Sequence, residues 1–544
     1  MSRRRIVLQA RTSSARLPGK VLLPLCGMPV VVLAALRASR GGGDIVVATS
    51  SDRSDDHLAR IAESHGLRCM RGPLNDVLAR FVAATTDLDD ADLCIRLTSD
   101  NVFPDSDFVA RLAQAAVQSA HGYAGFTGGS DGLPHGMAGE AMRVGLLRQA
   151  DHEARQATDR EHVTPWIIRH CGRNAPAFPR DPERDFSHLR CTIDTLDDYR
   201  LVRAALASLS DPVAAPSLEL CRRLARWVET GAALVPARIV SGELQSTLVL
   251  GGAQFGSRYG IANATGMPKD AELGRILAAA EKAGVTHLDT AAAYGESEAR
   301  VGAALSHDSP LSIVTKLPPD LLQEYRLGVL AAVASASSRL RRARLDVVLL
   351  HRFEHFSASG GIAWRELMEL KREGRIGRIG CSIYRPDELL ALLAETSVDF
   401  VQLPFNLLDR RWLESGIQLA LAARPDIVVH GRSALLQGLL TITDPSRWPG
   451  DDRSLATRCI ETLRELAASM GRVSVADLCF AYARSQPWLA GVVAGVETAA
   501  QMSDNIEIFR RPVLTPAELA TVSAALPPEL PEELLNPALW PGAV

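Results

Sequence analysis

From residue 247 onward the chain alternates short apolar runs with amphipathic stretches, and it does so eight times. The runs are Thr247–Gly251, Val285–Asp289, Leu311–Lys316, Asp346–His351, Ile376–Ser382, Phe400–Pro404, Ile427–Gly431 and Gly491–Gly495. Each has the length of a buried strand, and the segments between them carry helical spacing, as in Asp270–Ala283, Gly361–Glu373 and Arg385–Ala394. Eight even strand–helix units in roughly 300 residues predict a closed (β/α)8 TIM barrel. An open doubly wound sheet rarely needs so many equal units.

The first half has a different rhythm. Arg5–Ala10, Asp44–Thr49 and Leu93–Thr98 read as buried strands, with helical spacing over Met28–Ser39 and Asp55–His65. This alternation predicts a second α/β domain, a parallel sheet with helices on its faces. At 544 residues the chain is too long for one ordinary core. The expected division is a domain over 1–235, a linker over 236–245 and the barrel over 246–544.

Charge and cysteine usage narrow the partners. The net charge is −3 and no long run of one sign occurs, so neither nucleic acid nor an anionic membrane is an expected ligand. No stretch approaches the roughly 18 uninterrupted apolar residues of a membrane span, and the opening MSRRRIVLQARTSS lacks the apolar core of a secretory leader. Nine scattered cysteines without a C-x-x-C pair read as reduced thiols, which points to the cytoplasm.

A barrel of this kind carries its chemistry at the carboxyl ends of its strands. Reading those ends gives Asp289 and, on the loop that follows, Tyr294; the next two strands give Lys316 and His351. A phenol with a reference pKa near 10 is a poor acid at neutral pH. A nearby lysine ammonium favours the phenolate, an aspartate keeps that lysine charged and oriented, and a histidine can polarise a carbonyl. Each residue alone has an ordinary structural role, but four of them in order at successive strand ends form a proton-delivery set.

With these residues in place, 246–544 resembles the aldo-keto reductase family. The matching segments are LVLGGAQFG, HLDTAAAYGESE, IVTK, LLH, LKREGRIGRIGCS, VQLPFN and SALLQGLL. The resemblance implies a tetrad of Asp289, Tyr294 as proton donor, Lys316 and His351, with NADPH or NADH as cofactor. It implies nicotinamide contacts at Ser382 and Gln402, the pyrophosphate near Ser433–Leu440, and the adenosine end near Gly495, Gln501 and Asn505. Two departures stand out: neutral Gln501 where NADPH-preferring members often carry a basic residue, and Arg432 where many stack an aromatic ring on the nicotinamide.

The first strand of the N-terminal half runs directly into ARTSSARLPGKVL, which contains Arg11, Ser13, Ser14, Arg16 and Lys20. A loop at the carboxyl edge of a parallel sheet lies where open α/β domains bind ligands. Its amides, hydroxyls and cations suit a triphosphate and a departing pyrophosphate. This motif, with RGPLNDVLARF, RLTSDNVFPD, DREHVTPW and RCTIDTLDDYRLV, resembles the CMP-sugar synthetases of the spore-coat-polysaccharide and CMP-Kdo type over about residues 4–240. The resemblance implies CTP and a small sugar as substrates, Arg96 at the nucleotide, and Asp100 with Asp194 as carboxylate ligands of Mg²⁺. In HGMAGEAM, Ala138 stands where the family often has an acid, while Glu140 is retained.

Together these features lead to the expectation of a bifunctional enzyme of surface-polysaccharide or glycoconjugate sugar synthesis. One half would transfer a cytidylyl group and the other would reduce a small carbonyl compound. The alternative is that one half only binds a nucleotide or serves structurally.

Overall fold

The computed structural model describes every residue except 1–2, 15, 130–131, 173, 208, 230–233, 307–308, 322–324, 451, 528–529 and 541–544. The chain divides into two compact units, residues 1–232 and 233–544. Residues 230–233, near the end of the expected first domain, lie outside the described residues.

The first unit is built on six strands: β1 (Arg4–Gln9), β2 (Asp44–Ser50), β3 (Arg68–Gly72), β4 (Leu93–Thr98), β5 (Tyr123–Phe126) and β6 (Gly139–Arg143). Their order is β3-β2-β1-β4-β6-β5. The first four are parallel, whereas β6 runs antiparallel to β4 and β5 antiparallel to β6. The expected parallel sheet is therefore mixed at one edge. The extra strands β5 and β6 are short and interrupted by glycine, so they lack the long apolar runs that disclose β1, β2 and β4.

Two features place the carboxyl end of β4. Arg37 is fully buried and donates to the carbonyls of Val102 (2.7 Å) and Phe103 (3.0 Å), pinning the chain just beyond Asp100. The Ile193 amide donates to the Asp100 carbonyl (3.0 Å), and Asn101 bridges to Thr192. Segments about a hundred residues apart in sequence are thus stitched together beside the loop that follows β1.

The second unit opens with an antiparallel hairpin, β7 (Ala237–Val240) and β8 (Glu243–Ser246). This is the stretch expected to be a linker. It belongs to the barrel instead: Val240 packs on the inner core, and Arg238 donates to the carbonyls of Pro487 (3.2 Å) and Leu489 (2.8 Å). A four-residue strand of mixed polarity beside a Gly turn carries too weak a pattern to stand out from a linker.

The barrel strands are β9 (Leu248–Gly251), β10 (His287–Asp289), β11 (Ser312–Lys316), β12 (Leu345–Leu350), β13 (Ile376–Ser382), β14 (Phe400–Pro404), β15 (Val428–Arg432) and β16 (Gly491–Gly495). All eight pair in parallel and close, β16 against β9. Side chains alternate across each strand. Val347, Leu349, Phe400 and Val428 therefore fill the barrel interior, while Val348, Leu350, Val401 and Val429 face the helices. The same parity assigns the polar strand ends. Counting two on from Val314, Leu349 and Phe400 puts Lys316, His351 and Gln402 on the inward side. Asp289 and Ser382 follow outward-facing Leu288 and Cys381, so they also point inward. The helix over Glu354–Arg372 is broken by left-handed residues at 359–361, and its second part covers most of the helix expected from Gly361.

Candidate active sites

The barrel opens at its carboxyl end into a cavity of about 980 Å³. Tyr294 reaches it from the turn after β10. That turn is held by the Ala292 amide on the Lys316 carbonyl (3.0 Å) and by a buried hydroxyl relay, Thr290 to Ser297 (2.8 Å) to the Gly252 carbonyl (2.8 Å). Gly256 is required here, because a Cβ would sit 1.8 Å from the Tyr294 carbonyl oxygen.

Beneath Tyr294, the Nζ of Lys316 donates to Oδ1 of Asp289 (2.6 Å) and to the Thr290 carbonyl (2.9 Å). Gln402 Nε2 donates to the same Asp289 oxygen (2.7 Å). The Lys316 Nζ lies 5.0 Å from the Tyr294 ring centroid, and the His351 ring stands edge-on to that ring at 6.2 Å. His351 Nδ1 and Gln402 Oε1 are buried without a hydrogen-bond partner.

Burial sets the titration behaviour. It pushes the Tyr294 phenol well above its usual value, and the Asp289 carboxylate adds to the rise. Burial also lowers Lys316, against the opposing pull of Asp289. His351 is pushed down to about 3 by burial and by the Lys316 charge. Burial and the Asp289 charge thus carry the phenol opposite to the lowering expected from Lys316.

Eight of the expected barrel positions line the cavity: Asp289, Tyr294, His351, Ser382, Ser433, Gly495, Gln501 and Asn505. Lys316 and Gln402 sit below them, each bonded to Asp289. Sequence reasoning missed Tyr259, Tyr384 and Glu497, which also line it. Tyr384 and Glu497 lie two residues past their strands, where a slightly longer reading would have found them, whereas Tyr259 lies beyond the short helix Ala253–Gly256. Ser433, Leu436, Gln437 and Gly438 have φ of 60°, 49°, 54° and 91°. Such left-handed turns gather amides into an anion-binding concavity.

In the first unit the loop after β1 is tied down by Asp55, which accepts from the Thr12 amide (2.8 Å) and hydroxyl (2.6 Å) and from the Ser50 hydroxyl. Gly19, at φ 69°, turns the chain into the short helix Lys20–Leu22. Lys20 Nζ then donates to Asp100 Oδ2 (2.6 Å) and Asp194 Oδ1 (3.0 Å). Asp194 is also paired with Arg16 (2.9 Å) and Arg190 (2.6 Å). Burial raises the Asp194 carboxyl, but Lys20, Arg16 and Arg190 outweigh it and hold the group below its ordinary range.

Arg96 is bonded elsewhere, to Glu140 (2.6 Å) and Gln9 (3.1 Å), and Tyr123 donates to the other Glu140 oxygen (2.7 Å). Ser13 and Ser14 lie on the loop between Thr12 and Arg16, and burial lowers the Arg80 guanidinium, with the nearby Arg11 charge adding to the effect. Among the described residues no group of three or more His, Cys, Asp or Glu could hold a metal alone.

Residues 247–527 match the aldo/keto reductase family, and residues 6–199 match the cytidylyltransferase family. The first unit is 32% identical over 206 residues to the spore coat polysaccharide biosynthesis protein SpsF of Bacillus subtilis, an alignment covering 36% of this chain and 84% of that protein. The barrel is 26% identical over 273 residues to the uncharacterized oxidoreductase YqkF of the same organism, covering 46% of this chain and 86% of that one. Among solved structures, aldo-keto reductase AKR11C1 from Bacillus halodurans superposes with a TM-score of 0.47 at 21% identity, over 56% of this chain and all of that one. No described helix is long and apolar enough to cross a membrane. The chain belongs to the aldo/keto reductase family and carries a cytidylyltransferase domain ahead of its reductase barrel.

Proposed function

We propose that both halves are catalytic and serve one route of sugar-nucleotide metabolism: CTP-dependent cytidylyl transfer to a sugar, and NAD(P)H-dependent reduction of a carbonyl. The observation that carries the reductase half is the Lys316–Asp289–Gln402 cluster directly beneath Tyr294, with His351 edge-on to it.

Ser382 and Gln402 would hold the nicotinamide, the Ser433–Gly438 turn the pyrophosphate, and Gly495, Gln501 and Asn505 the adenosine end. The partnerless Gln402 Oε1 and the left-handed turn fit such a ligand. The bound cofactor supplies the hydride. Tyr294 donates its proton to the carbonyl oxygen as negative charge develops there. Its raised pKa keeps the phenol protonated until that moment, and Lys316 stabilises the phenolate left behind. His351, neutral by burial, orients the carbonyl through a ring N–H.

In the first unit, a sugar oxygen attacks the α-phosphorus of CTP and the bond to the β-phosphate breaks, releasing pyrophosphate. Arg11, Arg16 and Lys20, with amides and hydroxyls around Ser13 and Ser14, would neutralise the phosphates. Arg16 is 65% exposed and would exchange its Asp194 ion pair for the phosphates. Asp100 and Asp194 would hold Mg²⁺ together with phosphate oxygens. The fit is physical: the Lys20 ammonium already lies within 3.0 Å of an oxygen from each, so one cation can bridge them, and Mg²⁺ ordinarily takes only one or two protein carboxylates. Bound there, Mg²⁺ supplies charge neutralisation at the triphosphate.

Pyrophosphate release from CTP and Mg²⁺ with a panel of sugars, run beside NAD(P)H oxidation with carbonyl compounds, tests the pair. Asp100→Ala should abolish only the first activity and Tyr294→Phe only the second. Full activity in either variant would refute that half. A common pathway further requires that a product of one half be accepted by the other.

A further inference from the structure

Arg432 ends strand β15 on the barrel's inward parity and lines the cavity. Its guanidinium lies 4.2 Å from the centroid of the Tyr384 ring, and Nη2 donates to the Ile383 carbonyl at 3.2 Å. Among the described residues no carboxylate forms an ion pair with it. Of the acids that line the cavity with it, Asp289 is committed to Lys316 and Gln402, Glu388 to Arg385 and the Tyr384 amide, and Glu497 to the Thr265 hydroxyl, while Glu354 and Glu532 form no ion pair with Arg432. A half-buried cation without a counterion, lining an open cavity of about 980 Å³, is suited to an anion.

Many aldo-keto reductases stack an aromatic ring on the nicotinamide at this position, but the nicotinamide ring is neutral when reduced and positive when oxidised and gives a guanidinium no counterion. Two directions are open to the charge, the cofactor's phosphates or the substrate. The phosphates have their own cradle in the following turn, from Ser433 to Gly438. Arg432 leans the other way, over the residues that follow β13. Its charge reaches the reacting groups: it opposes the rise of the Tyr294 phenol and adds to the lowering of both Lys316 and His351. Tyr384 holds the planar guanidinium by its ring face, leaving in-plane N–H donors for a second ligand.

We infer that Arg432 is a specificity residue which anchors an anionic group, carboxylate or phosphate, on the carbonyl substrate, with Tyr384 as its positioning residue. The natural substrate is then an acidic carbonyl compound, such as a sugar acid or a sugar phosphate. The inference rests on the reductase reading of the barrel.

The test compares full-length protein with its R432Q variant on matched carbonyl pairs. Succinic semialdehyde against pentanal probes a carboxylate, and glyceraldehyde 3-phosphate against glyceraldehyde probes a phosphate. Wild type should favour the charged member of at least one pair, and which pair identifies the anion. In R432Q the charged-to-neutral ratio of kcat/KM should fall about 10- to 100-fold, mainly through KM, as expected for a lost charged hydrogen bond. R432K should recover part of it. An unmoved ratio overturns the inference. So does an equal fall for both members accompanied by weaker NAD(P)H binding, which would assign Arg432 to the cofactor. If no carbonyl is turned over at all, the reductase reading fails, and calorimetric titration with succinate, glycerol 3-phosphate and glycerol decides the anion site separately. Tighter binding of an anion that R432Q loses sustains the site, and equal binding of all three removes it.

Discussion

The Nζ of Lys316 lies 2.6 Å from Oδ1 of Asp289, and the two side chains are 1% and 5% exposed. Removing two charges from water is costly, and their attraction repays it only when the remaining protons and lone pairs are also satisfied. Here the Thr290 carbonyl and the Gln402 amide complete the set. Cutting one partner leaves the other buried and uncompensated. Lys316→Met should therefore destabilise the barrel by roughly 3–5 kcal/mol. The double variant Lys316→Met/Asp289→Leu should regain most of that stability without regaining reduction. Denaturation curves for the three proteins check the claim, and a single variant as stable as wild type would sink it.

Titration of the buried histidines predicts a separation between activity and stability. His351, at about 3, stays neutral through the working range, so it contributes no break near 6.5 to the pH profile of carbonyl reduction. Stability behaves differently. His430 is fully buried inside the barrel, and burial, with the charges of His287, Lys316 and Arg378, drives it well below its ordinary value. The unfolded histidine takes up its proton first as pH falls. Neither histidine costs the barrel stability above about pH 6.5, and below it His430 and His351 each cost about 1.4 kcal/mol per pH unit until their folded values are reached. Unfolding free energies at pH 7.5, 6.5 and 5.5 should show the combined slope, and His430→Gln, still facing Gln245, should reduce it by about half, leaving the share of His351. An identical slope in the variant would assign the acid sensitivity to other groups.

How much of this could be read from the sequence depends on where a residue's signal lies. Asp289, Lys316 and His351 stand at the ends of short, largely buried strands, where parity follows from a period of two, and their convergence was readable. The joining of Asp100 to Asp194 came only through the family resemblance: it depends on the Ile193 amide reaching the Asp100 carbonyl, a contact no local pattern encodes. Strands β5 and β6 were hidden because they are short and carry glycine. The sign of the Tyr294 shift was misread because proximity of Lys316 was weighed without the depth of burial or the competing Asp289. Arg96 kept its place on β4, yet its bonds to Glu140 and Gln9 depend on the antiparallel strand β6.

Lys20 predicts a gain as well as a loss. It holds the Asp100 and Asp194 carboxylates within reach of one atom. In Lys20→Met those oxygens lose their ammonium and face each other, which favours any cation that can replace it. Binding of Mn²⁺ in the absence of CTP, followed by electron paramagnetic resonance, should strengthen while cytidylyl transfer collapses. Unchanged Mn²⁺ affinity would argue that the two aspartates are a structural clasp for Lys20 and not a metal site.

Cofactor choice turns on Glu497 and Gln501. Gln501 Oε1 accepts from the Glu497 amide at 2.7 Å, and the Glu497 carboxylate accepts from the Thr265 hydroxyl at 2.9 Å. Both side chains line the cavity beside Asn505. On the proposed placement of the adenosine end, a carboxylate there repels a 2′-phosphate and suits free ribose hydroxyls, as acidic residues do in other dinucleotide sites. The wild-type barrel should accordingly turn over NADH more efficiently than NADPH. Gln501→Arg supplies a charge-assisted donor for the 2′-phosphate, and Glu497→Gln removes the repulsion. Each should raise the NADPH-to-NADH ratio of kcat/KM about tenfold, the scale of one charged hydrogen bond. Loss of the Gln501 contact to the Glu497 amide should cost stability by about 0.5–1.5 kcal/mol, small enough to leave the fold intact. A ratio unmoved in both variants would place the adenosine end elsewhere in the cavity.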